Sequence, residues 1–301
     1  MPLFTFGLPE KEASRIRRRC NSGELHCVIP GMYVPAAFWR EAYLEQRVEL
    51  CRQGYARAGR ILVGRSAAKT WGMPLVTEPT VVEVAGARTR SLRSRYLQVR
   101  KVSIESCATM MGNTWLTTAA ITCVDLARWN SLADSVLAAD WSLRHGLITR
   151  EDLEYACHTR ASTAGISKAN VMLRLASPAS ESPMESQLKV ELFTMGFPPP
   201  ELQAEIYSGM RFVGRVDFFY PHASVVIEYD GRAKLHDGNL EQNVERERGR
   251  ERRLEGEGFT IIRVDRRSWK DGLWVDQLRR ALENGRPYDN DRWRSAGPAW
   301  F

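Results

Sequence analysis

Apolar positions recur along the chain in two rhythms, one close to 3.6 residues and one close to 2. In the stretch from Arg40 to Gly59, Tyr43, Leu44, Val48, Cys51 and Tyr55 fall at helical spacing, which predicts one amphipathic helix. Before it, "ASRIRRRCNSGELHCVIPGMYVP" predicts a short helix followed by two short strands around a turn. "ILVGRSAAKTWGM" begins strand-like and continues as a helix opening at Ser66, stopped by Gly72 and Pro74. "TVVEV" and "YLQVRKVSI" read as strands. "TTAAITCVDLARW", "LADSVLAADWSLRHG" and "TREDLEYACH" read as helices, the last opened by Thr149 with Asp152 three residues on.

The Ser/Pro-rich "SPASESP", residues 177–183, interrupts the helical pattern as a linker does. Beyond it the rhythm is clearer. Met184 to Met195 carries Met184, Leu188, Leu192 and Met195 on one stripe. Phe212–Tyr220 and Ser224–Asp230 read as strands joined by "PHA", and one more strand is expected around Gln203–Tyr207. Asn239–Glu257 reads as a helix ended near Gly258, Phe259–Val264 as a continuously apolar buried strand, and "VDQLRRALEN" as a closing helix. The expected domains are 1–176, mixed α/β, and 184–290, with 291–301 as a tail.

The strands of the second region contain carboxylates where a sheet core normally places Val or Ile: Asp217, Glu228 and Asp230. Residues i and i+2 share a face, so Glu228 and Asp230 point the same way. An antiparallel hairpin around 220–223 brings Asp217 close to Glu228. Carboxylates packed together are costly unless something positive compensates them. Two readings stay open on the residues alone. Asp217 pairs with Arg215 or Arg211, and Glu228 with an arginine of the following helix; or the carboxylates hold a hard divalent cation. Glu185, three residues after Ser182 with Pro183 between, fits a helix cap.

Composition adjusts this picture modestly. The 301 residues are 44% hydrophobic and 9% aromatic, the content of a globular chain. Lys and Arg number 43 against 36 Asp and Glu, a formal charge of +7, which favours a polyanionic partner such as DNA. The basic run 85–101 holds Arg88, Arg90, Arg93 and Arg95 with no acid between them, and Arg246, Arg250 and Arg253 recur on successive turns of a predicted helix. Each set is a candidate phosphate-backbone surface, or a solvated face. Six scattered cysteines without a C-x-x-C pair point to a reducing cytoplasm. No leader pattern and no membrane-length apolar run is found, so no membrane partner is expected.

Two resemblances sharpen the expectations. "SGELHCVIPGMYVP", "GRSAAKTWGMPL", "TAAITCVDLAR" and "ADWSLRHGLITREDL" resemble abortive-infection antitoxin proteins of the AbiEi type over roughly residues 16–156, with a winged-helix remnant near 14–36. The helix-turn-helix that usually precedes the wing is shortened here. "SPMES", "RVDFFYP", "VVIEYDG" and "ERERGRERRLEGEGFTIIRV" resemble the very-short-patch-repair (Vsr-like) branch of the PD-(D/E)xK nucleases. This resemblance implies a restriction-endonuclease-like α-β-β-β-α-β core that hydrolyses DNA with Mg²⁺ or Mn²⁺, in phage defence or DNA repair. It implies Asp217 and Glu228 as metal ligands and Glu185 as the helix acid that orders the attacking water. Asp230 stands where the parent motif has lysine, and Lys234 is one candidate to replace that charge. The alternative is a non-catalytic DNA-binding regulator on an inactive nuclease fold, and a defence-system protein is a possible partner. The oligomeric state is not fixed by the sequence.

Overall fold

Chain geometry at a few glycines and caps sets where the elements begin and end. The computed structural model describes residues 2–86, 94–229, 249–250 and 252–300. The protein is α/β and divides into two compact units, Met1–Leu173 and Arg174–Phe301.

In the first unit, strands β1 (Leu3–Phe4), β2 (Leu25–Ile29) and β3 (Met32–Pro35) form an antiparallel sheet in the order β1-β3-β2. Helix α1 (Glu10–Asn21) precedes the β2–β3 hairpin. The single helix expected over Arg40–Gly59 is broken into α2 (Ala36–Glu41) and α3 (Leu44–Arg57). At the break Gln46 turns back to accept the Tyr43 N–H at 2.9 Å, starting a new helix. Tyr43 is left exposed, while Val48, Cys51 and Tyr55 face the core as their spacing requires. Gly54 on α3 lies against β2–β3, where a Cβ would come within 2.8 Å of Ile29 and Met32.

Helix α4 (Gly64–Trp71) begins two residues before the expected Ser66. The Glu83 carboxylate, from β4 (Val82–Ala85), accepts the Arg65 N–H at 2.7 Å and caps it. Gly72, in the left-handed region, ends it as read from sequence. Parallel to β4 runs β5 (Leu97–Arg100), and β6 (Ala108–Met111) pairs with β7 (Thr114–Thr117) as a hairpin. Leu62, fully buried, bridges to both Val84 and Leu116, which joins these pairs at one core. Helices α5 (Ala119–Trp129), α6 (Leu132–Arg144), α7 (Arg150–Thr159) and α8 (Ile166–Leu175) follow. Thr149 and Asp152 exchange backbone bonds at the start of α7 in a full capping box.

In the second unit, α9 (Pro183–Thr194) is followed by β8 (Glu201–Ser208), β9 (Arg211–Tyr220) and β10 (Val225–Tyr229). Residues 249–250 and 252–256 are helical, then come β11 (Thr260–Val264) and the helices Arg266–Asp271 and Leu273–Asn284. With β12 (Trp293–Arg294) included, the sheet order is β11-β10-β9-β8-β12. β10 and β11 are parallel and the other pairs antiparallel. Val225, Val226 and Ile227 are fully buried, as central strands require. The expected tail is instead part of this sheet. Trp293–Arg294 form β12 against Ile206 and Glu205, and Trp300 is buried edge-on to Phe193. A two-residue strand after a Pro- and Asp-rich segment carries no alternation to read.

Candidate active site

The hairpin register sets the site. β9 and β10 pair at Val225↔Tyr220, Val226↔Phe219 and Ile227↔Phe218, and the ladder then stops. One step further out the same register places Glu228 opposite Asp217, on one face of the sheet. Side chains close the fork that opens there. Asp217 Oδ2 accepts the Tyr229 N–H at 3.2 Å, and Arg250 Nη1 donates to the Arg215 carbonyl at 2.8 Å. Two of the three acids singled out in the strands are therefore brought together, Asp217 half-buried and Glu228 8% exposed.

Glu228 is held from above by Arg250. Nη1 reaches Oε1 at 2.7 Å and Nη2 reaches Oε2 at 2.8 Å, a bidentate fork. Arg263, which the parallel register sets beside Glu228 on β11, lies 4.0 Å from the same carboxylate. Arg250 turns inward onto this acid, and Arg253 is exposed. Of the two readings left open for Glu228, pairing with an arginine of the following helix is the arrangement seen. Arg215 donates to Glu181 at 2.8 Å, and the Asp217 carboxylate accepts the Tyr229 N–H.

Glu185 sits at the start of α9. Its N–H donates to the Ser182 hydroxyl at 3.2 Å, so the capping role read from the sequence is present. Its carboxylate does more than cap. Oε2 accepts the Glu181 N–H at 2.8 Å and the Gln203 amide at 3.0 Å. Gln203 lies opposite Asp217 in the β8–β9 register, between Leu202↔Phe218 and Ala204↔Val216. Its φ of 51° is uncommon for a side chain of this size. Through Gln203, Glu185 is tied to the strand position beside Asp217.

Gln203 and Arg263 were not singled out in the sequence. No pattern marks Gln203. Arg263 had a signal, a lone charge inside the apolar "TIIRV". Asp230, Lys234, Arg246, Arg88, Arg90 and Arg93 lie outside the described residues. Arg95 is exposed, with its guanidinium 4.6 Å from the centre of the Tyr96 ring and donating to that residue's hydroxyl.

The donor chemistry fits a hard cation in type. Asp217 and Glu228 supply adjacent carboxylate oxygens, and a carboxylate offers about four lone-pair sites, so a bidentate guanidinium does not exhaust Glu228. The charge is offset, however. One of the two carboxylates, Glu228, faces both Arg250 and Arg263. Among the described residues no group of three or more His, Cys, Asp or Glu is placed to hold a metal. No helix among them is long and apolar enough to cross a membrane.

Comparison with known proteins adds similarity without an activity. No family model matches the chain. Two curated Mycobacterium tuberculosis proteins, the uncharacterized proteins MT2308 of strain CDC 1551 and Rv2248 of strain H37Rv, are each 30% identical over 148 residues. The match covers 49% of this chain and 54% of each relative, so the chain spans about half the length of the curated relatives it matches.

Proposed function

We propose that the protein is a divalent-metal-dependent DNA endonuclease whose site is the fork between β9 and β10. One observation carries this reading: Asp217 and Glu228 meet where the central ladder opens, with the Asp217 carboxylate bonded to the backbone beside Glu228. Asp217 and Glu228 would hold Mg²⁺ or Mn²⁺, which would polarise a DNA phosphodiester toward attack by water. Glu185, anchored by the Glu181 N–H and by Gln203, is suited to orient that water. Arg250 and Arg263 hold the Glu228 carboxylate in place. The α-β-β-β-α-β order of the second unit supports this reading. The first unit, with its helix and β2–β3 hairpin as a winged-helix remnant, would supply DNA affinity or a contact to a defence-system protein. A net positive charge and six cysteines outside disulfides agree with DNA as partner and with a cytoplasmic setting.

A second reading has its own observation. The bidentate Arg250–Glu228 pair compensates one of the two acids without any ion, which favours a DNA-binding regulator on a nuclease fold that does not turn over. Supercoiled plasmid incubated with the full chain in Mg²⁺ or Mn²⁺ separates the two. Nicking or linearisation is expected from wild type and is expected to fall to background in Asp217→Ala and Glu228→Gln. Equal cleavage by wild type and Asp217→Ala sinks the assignment of this site. Salt-sensitive DNA binding with no cleavage under either ion favours the regulator.

A further inference from the structure

Arg250 is built into the fork more firmly than an outward-facing arginine. Its guanidinium joins β10 through Glu228 and β9 through the Arg215 carbonyl. Its stem crosses Gly214, where a Cβ would come within 3.1 Å of Arg250 Cγ and 3.2 Å of Cδ. Gly214 carries no left-handed φ, so the room it leaves for this stem is its evident use. The pair is also well shielded, with Arg250 21% and Glu228 10% exposed in their side chains. Charges held there interact more strongly than at the surface.

We propose that Arg250 is an internal counter-cation of the candidate metal site, so that binding of the divalent ion is coupled to binding of DNA. This inference rests on the nuclease reading above. In the protein alone, an incoming ion adds two positive charges beside the two guanidiniums that already hold Glu228. A DNA phosphodiester arriving at the same fork brings a further negative charge. It also offers the Arg250 N–H groups a second anionic acceptor, which loosens their hold on Glu228. Ion and phosphate therefore enter together, and the protein without DNA is kept from loading the ion. Arg250 is a positioning residue here: it acts through Glu228.

The test reads Mn²⁺ binding rather than turnover. The electron paramagnetic resonance signal of free Mn²⁺ is titrated against wild type, Arg250→Met, Arg250→Lys and Asp217→Asn, with and without a short duplex carrying phosphorothioate linkages. Arg250→Met is expected to bind Mn²⁺ about tenfold or more tightly than wild type in the absence of DNA. Arg250→Lys, which keeps the charge, is expected to stay as weak as wild type. Adding duplex is expected to tighten Mn²⁺ binding in wild type much more than in Arg250→Met. A merely structural Arg250 gives the opposite sign, since losing it disorders Glu228 and weakens the ion. Should Arg250→Met fail to fold by circular dichroism, wild type decides alone: an Mn²⁺ affinity unchanged by duplex overturns the proposal. If cleavage and Asp217-dependent Mn²⁺ binding are present but Arg250→Met binds no tighter, the counter-cation role falls and the nuclease stands. If no variant shows Asp217-dependent Mn²⁺ binding with or without duplex, both fall.

Discussion

His26 on β2 shows how one side chain can report its unit. Its ring stacks on Trp39 at 4.5 Å between centres, and the Arg47 guanidinium lies 5.4 Å over the same indole. Burial, and then the Arg47 charge, hold the imidazole below its ordinary value of 6.5. The folded protein therefore binds fewer protons than the unfolded chain just below that value. The stability this contributes is complete above 6.5 and is lost as pH falls through it toward the lowered folded value. His26→Phe keeps the stack and removes the titration. The stability difference between wild type and this variant is expected to shrink or reverse against wild type on acidification through that window, measured by urea unfolding. A His26 ring-proton titration centred above 6.5 would contradict the burial argument. At the same scale, Arg250 shows why the site was only partly legible. The i, i+4 and i, i+3 spacing of Arg246, Arg250 and Arg253 puts three arginines on successive turns. It does not say which one has a carboxylate and a glycine beneath it. That depends on β9 and β10, more than twenty residues earlier.

Helix and strand boundaries follow from who caps whom, and the partner is often remote. α4 is the clearest case. Gly64 has φ +52°, and a Cβ there would lie 2.5 Å from Glu83 Oε2. That carboxylate caps the helix through the Arg65 N–H and is also bound by Arg100, with Nε at 2.8 Å. Gly64→Ala meets both penalties, a left-handed backbone and a displaced buried acid. It is expected to cost about 2–4 kcal/mol, more than an ordinary helix-start substitution. A thermal melt of the full chain checks this, and a melting temperature within about a degree of wild type would contradict it. The sequence placed this helix two residues late because Ser66 looks like a cap and Glu83 is invisible to local pattern. The helices α5, α6, α7 and α9 were legible for the opposite reason, since their apolar runs lie within each segment, although burial is wider than a stripe: Ala119 to Ala127 of α5 are all buried, and Met195 after α9 is exposed.

At the scale of the whole molecule, the order of strands and helices in the second unit was readable because turns and apolar runs alternate there with little ambiguity. Among the elements that escaped, β1, the β6–β7 hairpin and β12 are too short to show a period. β12 matters most, since it lies at the edge of the sheet that carries the candidate site. Its neighbour β8 bonds the closing segment at several points: Leu202 N–H to Gly297 O at 2.9 Å, Ala296 N–H to Leu202 O at 3.0 Å, and the β12 pairing with Glu205 and Ile206. Trp293 packs on Phe219 at 5.5 Å, one residue beyond Phe218 and two from Asp217. Ending the chain after residue 290 removes that cover and leaves β8 as an open edge next to Gln203, the residue that ties Glu185 to the strand beside Asp217. The shortened chain is expected to melt at a lower temperature and to aggregate at concentrations where the full chain does not. A melting temperature and light-scattering profile equal to those of the full chain would show that the segment is the dispensable tail its composition first suggested.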